Sequence, residues 1–311
     1  MIRSFIQTIF GVLTFIPGVY KWRASKLGSG GTYSSRYCYS VWMRHIVLAK
    51  KSNLNYYPNV VAELGPGDSL GVGMMSLLLG SNKYIACDVV EFSNTKKNLI
   101  ILDELLVLLR NREPIPNDNE LPRVIPRIDN YSFPFDIYSN EYLDLNLSES
   151  RVKKIKNSLL SQNEMIEYNH SWFFDLKAYR NTIDMVISQA VLEHVDELES
   201  VYIAQKNWLN SNGFVSHAID FKSHGYSSNW DGHWKISKWR WFLLRGNRPY
   251  MINREPLSRH INILKNCGFN LVKIDNYRKD PTLLSKQYKT NLSLNDKHVG
   301  DSFIQANISD D

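Results

Sequence analysis

Residues 60–73 read VVAELGPGDSLGVG. The apolar run Val60-Val61-Ala62 has the composition of a short buried strand. Gly65 and Gly67 then allow a sharp turn and a close approach of backbone to a ligand. DSLGVGMMSLLLG follows as a helix, with Asp68 or Ser69 expected to cap it. Strand, glycine turn and helix in this order form the site at which many α/β proteins hold a nucleotide. A dinucleotide fingerprint, however, would place a glycine at position 70, where this chain has Leu70. The third glycine of that fingerprint lets strand and helix close beside a pyrophosphate, so its absence weighs against NAD.

Outward from this turn, the chain alternates strand and helix patterns. KYIACDVVEF reads as a second strand with Asp88 near its end, and TKKNLIILDELLVLL as a second helix. TIDMVISQAVLEHV and FVSHAIDF read as strands separated by the helix ESVYIAQKNWLNSNG, and RHINILKNCGFNLVKIDNY gives a helix, a turn and a late strand. The alternation predicts a Rossmann-like, mostly parallel sheet with helices on both faces. The expected organisation is an N-terminal basic and apolar helical extension (1–50), a main domain (51–285) and a polar, poorly ordered tail (286–311). Within the main domain lie a polar Pro- and Asn-rich insertion at about 114–164 and an aromatic lid at about 221–255.

With 43% hydrophobic and 22% charged residues over 311 positions, the chain has the composition of a folded globular protein. Cys38, Cys87 and Cys267 show no paired or metal-type spacing, which points to a reducing, cytoplasmic setting. The net charge of +6 is concentrated at one end: residues 1–62 hold eight Lys or Arg and no Asp or Glu, leaving 29 positive against 31 negative side chains elsewhere. That distribution disfavours nucleic acid as a partner. The run Phe5 to Val19 is apolar and flanked by Arg3, Lys21, Arg23 and Lys26, yet Pro17 interrupts it and it falls short of the roughly 20 residues a bilayer crossing needs. GVYKWRASK offers no convincing small-residue cleavage site for a secretory signal. Two readings stand: residues 1–26 lie on an anionic membrane at its inner face, or they form a helix packed across the domain's own core.

Taken together, E-x-G-x-G at 63–67, the acid Asp88 on the second strand, and the later ISQAVLEHV resemble class I S-adenosylmethionine-dependent methyltransferases, over roughly residues 56–278. The resemblance implies seven strands with the last antiparallel, and S-adenosyl-L-methionine as cofactor. It further implies that Glu63, Gly65, Gly67 and Asp88 contact the cofactor, and that Gln189 and Ala190 meet it at the end of the fourth strand. An acid in the position of Asp88 can accept both ribose hydroxyls. Arg36, in YSSRYC, is expected near the cofactor's carboxylate.

Methyl transfer from a sulfonium needs alignment and usually a base for the acceptor's proton. His217, Asp220, His224 and His233 gather within 17 residues at and after a strand end. His224 or His233 is the expected base, with Asp220 as orienting carboxylate. The spacing also permits a divalent metal on His217, Asp220 and His224, although His217, inside the strand, reads rather as a structural histidine. Glu193 and His194 are expected to line the site, as are His217, Trp230 and Arg254. In the lid helix WKISKWRWFLLRG, the inward side should comprise Trp234, Ile236, Trp241 and Leu244, with Trp239 a further candidate.

H-x-I-D-x-x-x-H, a Trp-rich stretch, Asn253-Arg254 and a helix ending in Cys-Gly-Phe resemble methyltransferases encoded with bacterial surface-polysaccharide genes. That resemblance implies O-methylation of a saccharide or lipid-linked glycan. The competing expectations are a small-molecule or RNA methyltransferase, or a non-catalytic membrane-bound regulatory protein that keeps the fold.

Overall fold

The computed structural model describes residues 2–16, 32–89, 94–161, 165–169, 177–248, 251–282 and 292–308. Lys21, Arg23 and Lys26 of the basic N-terminal segment lie outside the described residues. The glycine-turn strand is β1 (Val60–Leu64), followed by β2 (Lys83–Cys87), β3 (Ile166–Asn169), β4 (Ile183–Gln189), β5 (Leu209–Asp220), β6 (Phe269–Arg278) and β7 (Val299–Ile308). They form one sheet in the order β3-β2-β1-β4-β5-β7-β6. β7 runs antiparallel to both its neighbours, and the remaining pairings are parallel. The expected α/β class and seven-stranded, mostly parallel sheet are therefore present. The central strands β1, β2 and β4 are buried along almost their whole length because helices cover both faces.

On one face lie α2 (Ser35–Lys51), α3 (Gly71–Leu78), α4 (Thr95–Arg110), α5 (Asn140–Asn146) and α6 (Glu149–Ser161), whose apolar side chains join one core with Tyr84, Met185 and Phe214. On the other lie α7 (Leu198–Trp208) and α9 (Leu257–Asn266), packed on Leu64, Val186, Val215 and Ile304. α3 begins without the expected side-chain cap: Leu70 holds the N-cap position, its amide donating to Asn98 Oδ1 at 3.0 Å, while the Ser69 hydroxyl accepts from Gly71 N at 3.2 Å.

Three expectations about organisation are corrected. α2 belongs to the main core and not to an extension, since Tyr39, Trp42, Met43 and Ile46 are fully buried there. The same helix buries Arg44, which donates to the carbonyls of Pro116, Val124 and Pro126 and to Asp118 Oδ1. A buried guanidinium needs such partners, and it fastens the polar stretch after α4 to the body of the protein.

The polar tail contains β7, inserted between β5 and β6. Its polarity misleads because its buried side chains bond across strands: Gln305 Nε2 donates to His45 O and to Ser216 Oγ, each at 3.2 Å, and Ser302 Oγ donates to Asn276 Oδ1 at 2.8 Å. A chain ending at residue 298 is expected to lose its cooperative thermal transition, because β6 would have no neighbour and β5 would gain a bare edge. Circular dichroism melting checks this, and a truncated chain that melts like the full one would contradict the placement of β7.

The third correction concerns the first helix, α1 (Ile2–Leu13). It does not cross the domain core. It packs on the lid helix α8 (Lys238–Arg245), with Gly11 so close that an added Cβ would stand 2.2 Å from Leu243 O. Among the described residues no helix is long and apolar enough to cross a membrane.

Candidate active site

The parallel strands β1, β2, β4 and β5 all end on one edge, and the loops leaving them build the site. Gly65 and Gly67 sit at φ +63° and +71°, a region that favours glycine, and a Cβ on Gly65 would stand 2.6 Å from Val191 Cγ2. The glycine turn is therefore pressed against the loop that follows β4. Asp88, just past β2, is almost buried and accepts from Gly67 N at 3.4 Å and Val89 N at 2.7 Å. Glu63 is buried and accepts from the Tyr84 hydroxyl at 2.6 Å. Burial pushes its carboxyl up to about 8 despite that bond, so at neutral pH it is largely uncharged until a cation approaches. Gly73 makes the contact available, because any Cβ there would meet the Tyr84 ring at 2.0 Å.

Beyond Val191, the short 3-10 turn Leu192–His194 carries Glu193 and His194 towards the end of β5. Both Glu193 carboxylate oxygens are buried, with no well-aligned hydrogen bond among the described residues. Burial, reinforced by the charge of Asp220, holds this carboxyl well above the usual range, and the backbone amides of Glu193 and Asp220 only temper the effect. Asp220 behaves oppositely. Burial alone would raise it, but the hydrogen bond to His224 and the charge of Lys222 hold it down to about 2. His224 Nε2 lies 3.4 Å from Asp220 Oδ2, and the His194 and His224 rings meet edge-on at 5.0 Å. Ala190, His224 and Arg254 all have positive φ without being glycine, a strained conformation that tends to cluster at working sites.

The histidines predicted from sequence thus separate. His224 pairs with Asp220 as expected. His233 is buried beside Glu193, Asp220 and Arg254 around a cavity of about 10 Å³, room for one water. Burial and the charge of Arg254 push His233 down to about 3, which leaves it a weak proton acceptor near neutrality. His217 is structural: Nδ1 meets Ser188 Oγ and Nε2 meets Gln205 Oε1, each at 2.8 Å, inside the sheet–helix core. With both nitrogens engaged it neither lines the site nor ligates a metal, which corrects those two expectations. The donor atoms that do converge within 4.8 Å are those of Glu193, His194 and His224. These residues could take one divalent cation, in competition with the proton on Glu193.

Other predicted residues hold the frame. The Gln189 amide donates to Ile125 O at 3.1 Å and its oxygen meets His45 Nε2 at 3.2 Å, so its side chain is engaged, while Ala190 is exposed at the strand end. Arg254 Nη1 donates to Ile236 O at 2.7 Å and to His233 O at 3.2 Å, and its guanidinium lies 4.5 Å from the Trp241 ring centroid. It pins the lid. Asn253 Nδ2 donates to Leu192 O and Val195 O at 2.8 and 2.6 Å, joining the lid's base to the Glu193 turn. Trp230 Nε1 donates to Asp280 O at 2.9 Å, at the far rim of the lid. Arg36 forms an ion pair with Glu120 near the surface. Trp234, Trp241 and Leu244 point inward as expected, whereas Trp239 is 69% exposed.

Sequence reasoning missed Tyr37, on α2, whose hydroxyl is pushed well above its ordinary value chiefly by burial, with the carboxyls of Glu63 and Glu193 near enough to add to the effect. It also missed a cleft of about 830 Å³ that opens beside His224. Arg123, Arg127, Lys222, Arg278 and Lys279 line this cleft against Asp220 and Asp301. Its cations come from segments far apart in sequence, so no local charge run signals it.

Residues 130–216 match the family model for a methyltransferase domain. The matched stretch runs through β3, β4 and most of β5, is shorter than half the chain, and leaves out the glycine turn. No curated protein matches the sequence. Among solved structures, a Listeria monocytogenes protein provisionally named an S-adenosylmethionine-dependent methyltransferase shares 12% identity, with 86% of this chain and 99% of that one covered and a TM-score of 0.45. The geranyl diphosphate C-methyltransferase of Streptomyces coelicolor A3(2) shares 10% identity over 86% of this chain and 77% of its own, with a TM-score of 0.44. Likenesses this distant say nothing of what this chain acts on. The sheet order and the matched stretch support an S-adenosylmethionine-dependent methyltransferase.

Proposed function

We propose that the chain transfers a methyl group from S-adenosylmethionine to a hydroxyl of a saccharide that carries an acidic or phosphate group. The observation that carries this reading is the meeting of two half-sites on one sheet edge. The glycine turn with Asp88 abuts Val191, and three residues later His194 faces the His224–Asp220 pair.

The residues present fit the cofactor. The backbone at Gly65 and Gly67 has no side chain to obstruct it, and Asp88 offers a carboxylate to the ribose hydroxyls. Glu63, neutral while alone, gains its charge when an ammonium group approaches. When bound, S-adenosylmethionine supplies a methyl group activated on a sulfonium. The chain's own part is to align the acceptor and take its proton. With His224 Nε2 directed at Asp220, Nδ1 is the atom that receives the acceptor's hydroxyl proton, and the Asp220 carboxylate stabilises the imidazolium that results. The bound group would supply the methyl to that oxygen, while His224 and Asp220 would hold the proton the oxygen gives up.

The cleft beside His224 supports the acceptor class. Five cationic side chains stand there against two carboxylates, in a space large enough for a sugar ring and its charged substituent. The test is mass spectrometry of cell-surface glycans and their lipid-linked precursors from strains with and without the gene. The expected difference is one CH₂ on an acidic or phosphate-bearing sugar; identical glycan masses would remove the saccharide reading.

A further inference from the structure

The first helix of this protein is inside out. On α1 and the turn that follows it, the positions facing the protein are polar or small: Gly11 and Thr14 are buried, and Gln7 and Thr8 half-buried. The Gly11–Thr14 seam is bonded to the lid, with Asn247 N donating to Thr14 Oγ1 at 2.8 Å and Arg248 Nη1 to Gln7 Oε1 at 3.2 Å. The apolar side chains face outward instead. Ile6, Ile9, Phe10, Leu13 and Ile16 are 38–53% exposed. A helix meant to pack on a soluble core shows the reverse pattern.

The lid helix extends this surface. Phe15 meets Phe242 of α8 at 5.5 Å between ring centroids, and Phe242 stacks on Trp239 at 5.9 Å, both lid rings being more than half exposed. Contiguous apolar surface of this kind marks an interaction site. Its surround is cationic: from Gly232 to Arg248 the chain has five Lys or Arg and no Asp or Glu. Lys235, Lys238 and Arg240 among them are exposed. Two copies meeting through this face would bring like charges together, whereas an anionic lipid surface complements them. Trp and Phe beside Lys and Arg also suit the boundary between headgroups and acyl chains.

We propose that α1 and α8 together form a docking surface for an anionic lipid bilayer, with Trp239, Phe242 and Phe15 inserted at the interface. Because Arg254 and Asn253 tie the lid to the Glu193 turn, the docked face adjoins the site's rim, and a membrane-borne acceptor would reach it without leaving the surface. The inference stands apart from methyl transfer, which uses none of these side chains.

The test is flotation of the full-length protein with vesicles of phosphatidylcholine and phosphatidylglycerol, alongside vesicles of phosphatidylcholine alone. The expected result is binding to the anionic vesicles, reduced at least about tenfold by high salt or by neutral lipid. Trp239→Ser with Phe242→Ser should lower it by at least about tenfold as well, with S-adenosylhomocysteine binding by calorimetry unchanged. Lys238→Glu with Arg240→Glu, at exposed positions, provides a second variant expected to detach. No binding by the intact protein, or equal binding by both variants, overturns the proposal. So does a dimer of the intact protein that the Trp239/Phe242 variant dissolves, which would assign the face to a second copy. In each of those cases retained cofactor binding leaves the methyltransferase reading standing.

Discussion

Asp88→Ala is expected to weaken binding of S-adenosylhomocysteine by about a hundredfold or more. Each hydrogen bond to a charged group contributes about 1.5–3 kcal/mol, and a carboxylate at the end of β2 can accept two from a ribose. About 1.4 kcal/mol corresponds to a tenfold change, so losing both acceptors exceeds two decades. Asp88 also accepts from Gly67 N and Val89 N, so its loss loosens the turn that cradles the ligand. Isothermal titration of the variant checks this. Unaltered affinity would remove Asp88 from the site.

His224→Ala is expected to lower turnover by about 10²–10⁴-fold while cofactor affinity stays within about twofold, the range general base catalysis supplies. The separation matters, because the variant leaves the glycine turn intact and removes only the group paired with Asp220. His233→Ala is the informative comparison. Buried and held near 3, His233 packs against Trp234 at 4.5 Å between ring centroids, and its replacement should cost stability more than chemistry. Steady-state rates and thermal melting of both variants check the contrast. A fully active His224→Ala enzyme would move the base elsewhere.

Much of the frame was legible because it is local. The strand–glycine turn–helix of residues 60–78 needs only apolar runs and two glycines to announce itself, and its neighbours alternate in the same way. The Asp220–His224 pair was legible too, since four residues of separation at a strand end bring the two side chains together. What escaped was written in long-range contacts. β7 looked like a tail because Ser302 and Gln305 are polar, and only their cross-strand partners Asn276, Ser216 and His45 explain why they are buried. For His217 the structural reading holds, and its place among the site-lining residues does not, because Ser188 and Gln205, which satisfy it, lie 29 and 12 positions away. Tyr37 was missed for a similar reason, its helix arriving from before β1 to reach both acids of the site. The lid helix was read with its inward side correct, but not the face that α1 and Trp239 leave outside.

A crystal structure with S-adenosylhomocysteine bound measures the central claim most directly. The account predicts ribose hydroxyls on the Asp88 carboxylate, the adenosyl group against Gly65 and Gly67, and the sulfur facing His224. A turn closed to the ligand by its own side chains, or one occupied by NADH in its place, would contradict it.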